Sequence, residues 1–319
     1  MNQTTKNWLI AGAALVLIGV LVLVGGVAMS HWDFSAFGAK YETKAVDVDE
    51  GFRNLTIRAD TEDIAFIPSD NGTCRVVFYE RENRRHTASV HDGTLLIEGT
   101  DTEKWYEHFT LFSTGSPRIT VYLPQNDYAS LYIEEDTGDI VMPADFRFES
   151  AEIAGGTGDV EWYSSSGQVQ MELSTGEIRI EDIFAEKLEL SVSTGRVEVR
   201  SVACAGDVSV NVSTGKTTMS DVTCKRFCST GSTGDVFLEN VIVSEGVTIE
   251  RSTGDVRFER CDAAELSIQT DTGDVSGSLL SDKVFIARSD TGDIDVPQTI
   301  TGGKCEISTD TGDIDIVIS

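Results

Sequence analysis

Asp271-Thr272-Gly273-Asp274-Val275 is one copy of a unit that recurs along the chain, with its Thr-Gly pair ending at Gly138, Gly158, Gly176, Gly195, Gly215, Gly234, Gly254, Gly273, Gly292 and Gly312. Successive glycines are 18 to 20 residues apart. A fixed period of that size marks a stack of structural repeats. On both sides of each glycine apolar residues alternate with period two, the pattern of short strands with one buried face. Seven and five residues before it stand pairs such as Val169/Met171, Leu188/Leu190 and Val208/Val210; two and four residues after it stand Ile140/Met142, Ile178/Ile180, Val197/Val199 and Ile294/Val296. A third column, seven residues after it, holds Ile183, Val202, Val222, Val241 and Leu280.

A coil of about 19 residues encloses no core of its own, but stacking coils about 4.8 Å apart buries each column against its neighbours. The fold expected is therefore all-β, a β-solenoid resembling a parallel β-helix, with Gly at a tight corner because it alone takes positive φ without steric cost. Ser229 and Ala287 sit where neighbouring coils carry larger side chains, so their coils should be looser, or shifted so that Val284 and Ile286 point inward.

Upstream, Leu9 to Met29 is 21 residues without a charge, enough for one transmembrane helix. Trp8 and Trp32 bracket it where interfacial aromatics belong. A signal peptide cleaved near Ser35-Ala36-Phe37-Gly38-Ala39 is the rival reading, but its apolar region should be about 7–15 residues, which favours an uncleaved anchor. Lys6 before the span and Asp33 after it place the N-terminus in the cytoplasm and the rest outside. The expected organisation is a cytoplasmic N-terminus over 1–7, an anchor over 8–30, a stalk over 31–50, an N-terminal β region and cap over 51–130, and regular repeats over 131–319.

The first coil comes earlier than the Thr-Gly count suggests. Leu55, Ile57, Ile64 and Phe66 keep the same offsets from Glu62 that later columns keep from their glycine, so Asp60-Thr61-Glu62-Asp63 is the same unit with the glycine replaced. Further strands are expected at Val76-Phe78, Leu95-Ile97 and Ile119-Val121-Leu123. The insertion between Gly99 and Ser116 carries Trp105, Tyr106, Phe109 and Phe112, read either as a cover for the open end of the stack or as a binding patch.

Asp63-Ile64-Ala65-Phe66-Ile67-Pro68, Ile119-Thr120-Val121-Tyr122-Leu123-Pro124 and the serial Thr-Gly-Asp units together resemble the bacterial "putative adhesin" family of β-strand-repeat proteins, over roughly residues 45–319. The resemblance implies a membrane-tethered or secreted β-solenoid, often linked to envelope stress, with no catalytic residue to carry over. Glu62, Arg196 and Lys216 depart from the family's repeat.

With 25 basic and 53 acidic residues the formal charge is −28, which excludes nucleic acid as a natural partner. Cys204 and Cys224 stand at one offset on successive coils, read as stacked buried thiols with a disulfide as the alternative. Cys224 and Cys228 lack a second half-site for zinc. Asp-Thr-Gly also surrounds the carboxylate of aspartic proteases, but here it recurs with the structural period and supplies no two-lobed cleft.

In the last coils Asp271/Asp274, Asp290/Asp293 and Asp310/Asp313 should form two acidic columns. Such columns repel unless a hard cation, most naturally Ca²⁺, neutralises them. The competing reading is that each carboxylate caps backbone N–H groups at its corner. The function expected is non-enzymatic: an envelope protein, anchored by one helix, that presents a rigid acidic solenoid to an envelope protein or surface polymer, for adhesion or stress sensing. The alternative is a carbohydrate-active enzyme on a β-helix scaffold.

Overall fold

The computed structural model describes residues 41–81, 84–101 and 116–319, together with residues 6, 12 and 15–19. The expected anchor therefore lies almost wholly outside the described residues; positions 12 and 15–19 are helical, and among the described residues no helix is long and apolar enough to cross a membrane. Among the described residues from Tyr41 onward every regular element is a β-strand.

The repeats stack in parallel and in register. Leu190 pairs with Met171 on one side and Val210 on the other, and Gly195 lies between Gly176 and Gly215. All ten repeat glycines have φ between +129° and +153°, a region that L side chains rarely enter. Space is as restrictive as torsion: a Cβ on Gly215 would stand 1.6 Å from the carbonyl oxygen of Gly195. The expected loose corner is in fact regular. Six residues after the glycine, Asp182, Ser201, Asp221, Asn240 and Arg260 each adopt φ of 49° to 57°, the left-handed conformation that Asp and Asn tolerate best among residues with a side chain.

The predicted columns are buried through the body of the stack, and two more join them. Three residues before the glycine, Leu173, Val192 and Val212 also face inward, and nine residues after it Ala185, Cys204, Cys224, Val243 and Ala263 do the same. All six cysteines are free thiols, so Cys204 and Cys224 are stacked small core residues; burial pushes the Cys224 thiol up to about 12.

Both ends depart from chain order. The N-terminal strands are β1 (Tyr41–Val48), β2 (Asn54–Ala59), β3 (Asp63–Pro68), β4 (Cys74–Arg81), β5 (Arg84–His91), β6 (Thr94–Asp101) and β7 (Arg118–Leu123), followed by β8 (Asp127–Thr137) and β9 (Ile140–Met142) of the Gly138 coil. The first coil, β2 and β3, inserts between β6/β7 outside and β8/β9 inside. Leu55 pairs with Leu131, Ile57 with Ile133 and Ile64 with Ile140, which puts Glu62 in the glycine place as expected. Three antiparallel strands close this end: β4 on β7, β1 on β4 and β5 on β6. Strand β1 takes residues assigned above to a stalk, because Val46 and Val48 pair with Val76 and Cys74 rather than standing free.

At the other end the last strand pair, Gly303–Thr311 and Ile314–Ile318, inserts between the Gly273 coil and the Gly292 coil. Chain order thus fails for the acidic corners too: the Gly312 coil stands in the middle. The outermost coil has one neighbour instead of two, so Ile294 is exposed rather than buried, and Val284 and Ile286 face solvent with no shift of register. Leu280 is exposed as well. Gly277 leaves room beside the Phe258 ring, the register slips, and Leu279 takes the buried place. The Ser229 coil is not loose, because the side chain of Arg251 on the next coil reaches across and fills the space.

Leu190, 2% exposed between two well-filled coils, tests the stack. Leu190→Ala should cost about 2–5 kcal/mol through lost contacts and a residual cavity. Hydrogen exchange should show the loss of protection concentrated in the Gly176, Gly195 and Gly215 coils; uniform loss along the chain is the contrary result.

Candidate functional site

The residue after each corner glycine forms a ladder. Its carboxylate accepts the backbone N–H of the same position on the next coil, from Asp139 to Asp63 Oδ1 (3.3 Å), Asp159 to Asp139 Oδ1 (2.9 Å) and Glu177 to Asp159 Oδ1 (2.8 Å). It resumes from Asp255 to Asp235 Oδ1 (3.3 Å), Asp274 to Asp255 (2.9 Å), Asp313 to Asp274 (2.8 Å) and Asp293 to Asp313 (2.8 Å). Between these runs opposite charges replace the bond: Arg196 pairs with Glu177 at 3.3 Å and Lys216 with Asp235 at 3.3 Å. The two basic departures therefore neutralise the column where the ladder stops.

Asp274, Asp313 and Asp293 do stand in one column, in that order, with the first two carboxylates each holding an amide. Asp271, Asp310 and Asp290 are exposed on the outward side, and Asp290 accepts Arg288 at 2.9 Å. Among the described residues no three His, Cys, Asp or Glu side chains are placed to hold a metal ion. Asp274 and Asp313 thus serve as backbone caps. Trp105, Tyr106, Phe109 and Phe112 lie outside the described residues.

The densest chemistry lies at the N-terminal end. Inward alternation continues past the apolar pairs into buried carboxylates: Val76-Phe78 runs on to Glu80 and Leu131-Ile133 to Glu135, while Leu95-Ile97 runs on to Gly99 at the exposed end of its strand. Gly99 leaves space that the His86 ring fills, 3.2 Å from where a Cβ would stand. The ring stacks on Phe78 at 5.4 Å and is gripped from both sides, Nδ1 lying 2.9 Å from Glu80 Oε2 and Nε2 3.5 Å from Glu62 Oε1. Glu80 also accepts the His86 amide at 2.6 Å. Glu62 Oε2 accepts the amides of Asp60 (2.9 Å) and Thr61 (3.0 Å), so the glycine replacement closes its own turn. Arg84 pairs with Asp60 and reaches toward Glu62.

Glu62, Glu80, His86 and Glu135 are each no more than 3% exposed. Burial opposes the ionised form of Glu62, but the His86 ring and the two amides outweigh it and hold the carboxyl at about 2. Burial likewise opposes imidazolium, yet Glu62 and Glu80 outweigh it and raise the His86 value. Glu135 has no such help. Burial, then the negative charges of Glu62, Asp139, Asp63 and Asp136, push it up to about 8. The arrangement is a buried Glu–His–Glu group beside a glutamate whose protonated form is favoured, next to a cavity of about 350 Å³ that Arg58, Glu98, Glu134 and Asp136 also line. It can hold and share protons inside the fold. Sequence reading reached only Glu62 in this group; the signal for the others was polar residues continuing an inward alternation.

Two substitutions check these assignments. Asp274→Asn keeps an acceptor for the Asp313 amide and should stay close to wild type, whereas Asp274→Ala should lose about 1 kcal/mol in denaturant melts; equal losses would mean charge matters and the cap does not. Because the folded pKa of Glu135 lies above its ordinary value of 4.5, its contribution to stability is present below that pH and is lost as pH rises through about 8. Glu135→Gln should remove that loss, so the gap in melting temperature between pH 5 and pH 9 should narrow relative to wild type.

Comparison with known proteins follows the architecture. No curated protein sequence matches the chain. Among solved structures, a "putative adhesin" from Parabacteroides distasonis aligns at 10% identity with a TM-score of 0.50, over 88% of this chain and 98% of that one. A "putative lipid binding protein" from the same organism aligns at 14% identity, TM-score 0.49, over 88% and 98%. A "putative adhesin" from Parabacteroides merdae aligns at 11%, TM-score 0.48, over 75% and 98%. At 10% identity and a TM-score of 0.50, the likeness to the first of these is one of fold alone. The Toastrack DUF4097 model matches residues 52–208 and 204–319, nearly the whole solenoid, and the chain belongs to the Toastrack DUF4097 family.

Proposed function

We propose that this chain is a non-enzymatic cell-envelope protein, in which an N-terminal helix over residues 8–30 stays in the membrane and the solenoid stands outside the cytoplasm as a rigid binding surface. The observation that carries the reading is how the acidic groups are used. Corner carboxylates are occupied by backbone amides, and the buried Glu62 and Glu80 both hold His86. A glycosidase needs two carboxyl groups about 5–9.5 Å apart across an open sugar site, whereas this pair is closed around an imidazole. What the body of the stack offers outward is a repetitive surface of hydroxyl and charged side chains, suited to binding a protein or polymer along its length. The uncharged run from Leu9 to Met29 supports the location, and the acidity of the solenoid, with 37 acidic against 14 basic residues over 126–319, keeps it soluble and disfavours nucleic acid.

Protease treatment of intact cells carrying a C-terminally tagged chain provides the test. The tag and the solenoid should be removed while a fragment containing residues 1–30 stays with the membrane. Protection of Asp274 or any later residue in whole cells, with cleavage after lysis, would overturn the proposal.

A further inference from the structure

Arg251 is the one arginine of the solenoid body turned into the core. Its position, three residues before Gly254, belongs to the inward column that Leu173, Val192 and Val212 fill with aliphatic side chains on earlier coils. The neighbouring coil is hollowed to receive it. Gly231 has no side chain, Ser229 is small where the two adjacent coils carry Val210 and Ile249, and Thr217 replaces the usual Val or Ile one coil further on. Through this gap Nη2 donates to Ser229 Oγ at 2.7 Å and to Thr217 Oγ1 at 3.3 Å, and Nη1 donates to the Glu250 carbonyl at 3.0 Å. The side chain is 4% exposed, and Nε has no partner.

A guanidinium offers five N–H donors, and the three bonds above leave the Nε–H and one Nη1–H unused. Among the described residues it has no carboxylate counter-ion, although acids outnumber bases by two to one in this chain and the other buried cation of the stack, Lys283, is paired with Asp262 at 2.7 Å. An unpaired buried charge is costly, and filling the same volume with apolar side chains is the cheaper way to complete a core. The neighbouring coils do so. Arg251 moreover lines a polar groove of about 500 Å³ with Asn211, Ser213, Thr230, Ser232, Ser252 and Gln269, short hydroxyl and amide side chains that donate as readily as they accept. Two carboxylates, Glu250 and Asp271, stand at the same groove. They disfavour a bare anion and favour one whose neighbouring hydroxyls can donate to them.

We propose that this groove is a binding site for an acidic sugar, whose carboxylate, phosphate or sulfate oxygens face Arg251 while its hydroxyls reach the Ser, Asn, Gln and acidic side chains around it. The site uses a stretch of surface that neither the corner ladder nor the Glu–His–Glu group touches. It is independent of where in the cell the solenoid stands.

The test compares the purified solenoid, residues 32–319, with a repacked variant carrying Arg251→Val, Ser229→Val and Thr217→Val, which restores the aliphatic rungs of the adjacent coils and should fold. Melting temperatures and isothermal titrations are taken with glucuronate, glucose 6-phosphate, glucose 6-sulfate and, as a neutral control, glucose. Wild type should be stabilised progressively by at least one of the three acidic sugars and not by glucose, and the variant by none. Response to glucuronate alone identifies a uronic-acid polymer as the source of the group; response to the phosphate or sulfate ester identifies an esterified polymer. Equal responses in wild type and variant, or no response to any acidic sugar in wild type, overturns the proposal. Should the triple variant fail to fold, Arg251→Lys replaces it. It keeps the charge but not the fork, and should lower the response at least tenfold; an undiminished response would again overturn the proposal.

Discussion

Everything in this fold depends on how closely successive backbones approach at the corner. Each repeat glycine lies against the carbonyl oxygen of the corner residue on an adjacent coil, Glu62 for Gly138 and a glycine for the other nine, at a distance that leaves no room for a Cβ and with a φ that favours none. That contact locks register, since a slip of one residue would present a side chain to a carbonyl. With register locked, every inward column aligns, and a coil too small to have its own core acquires one from its neighbours. The aspartate ladder depends on the same alignment: only where corners superpose does one carboxylate meet the next amide. The hydrophobic columns thus supply the driving force and the glycine corner supplies the geometry.

The two ends solve the problem every stack has, an unpaired outer coil. Both insert a coil out of chain order, so that the terminal strand pair is held on both sides and a loop-connected neighbour becomes the outermost layer. At the N-terminal end antiparallel strands then cover that layer, and the polar side chains of Glu80 and His86 are buried beneath them. Their mutual hydrogen bonds make burial tolerable. Glu135 has no cation beside it among the described residues, and burial with the surrounding carboxylates raises its pKa and favours its neutral form.

Two of the polar groups buried among the described residues are compensated in opposite ways. The Glu–His–Glu group balances charge internally, with Arg84 close by. Arg251 is balanced by nothing charged and rests on hydroxyls and a carbonyl. Fold alone does not decide this difference, which lies in a few side chains.

The amino-acid sequence by itself determined the repeat, its period, the inward columns and the replacement of a glycine by Glu62, because each is local and the stack reads the same rule over and over. It carried the corner acids as well, but not their use, since whether a carboxylate meets an amide or a cation depends on what the next coil places opposite it. Only the tertiary structure decided the order of coils at the two ends, because strand pairing there joins segments whose spacing follows no period. It alone showed that Ser229 is complemented by Arg251, a residue 22 positions away, and that Glu62, Glu80, His86 and Glu135 share one site. These groupings arise from contacts between coils, and a periodic sequence fixes what each coil looks like more firmly than which coil it meets.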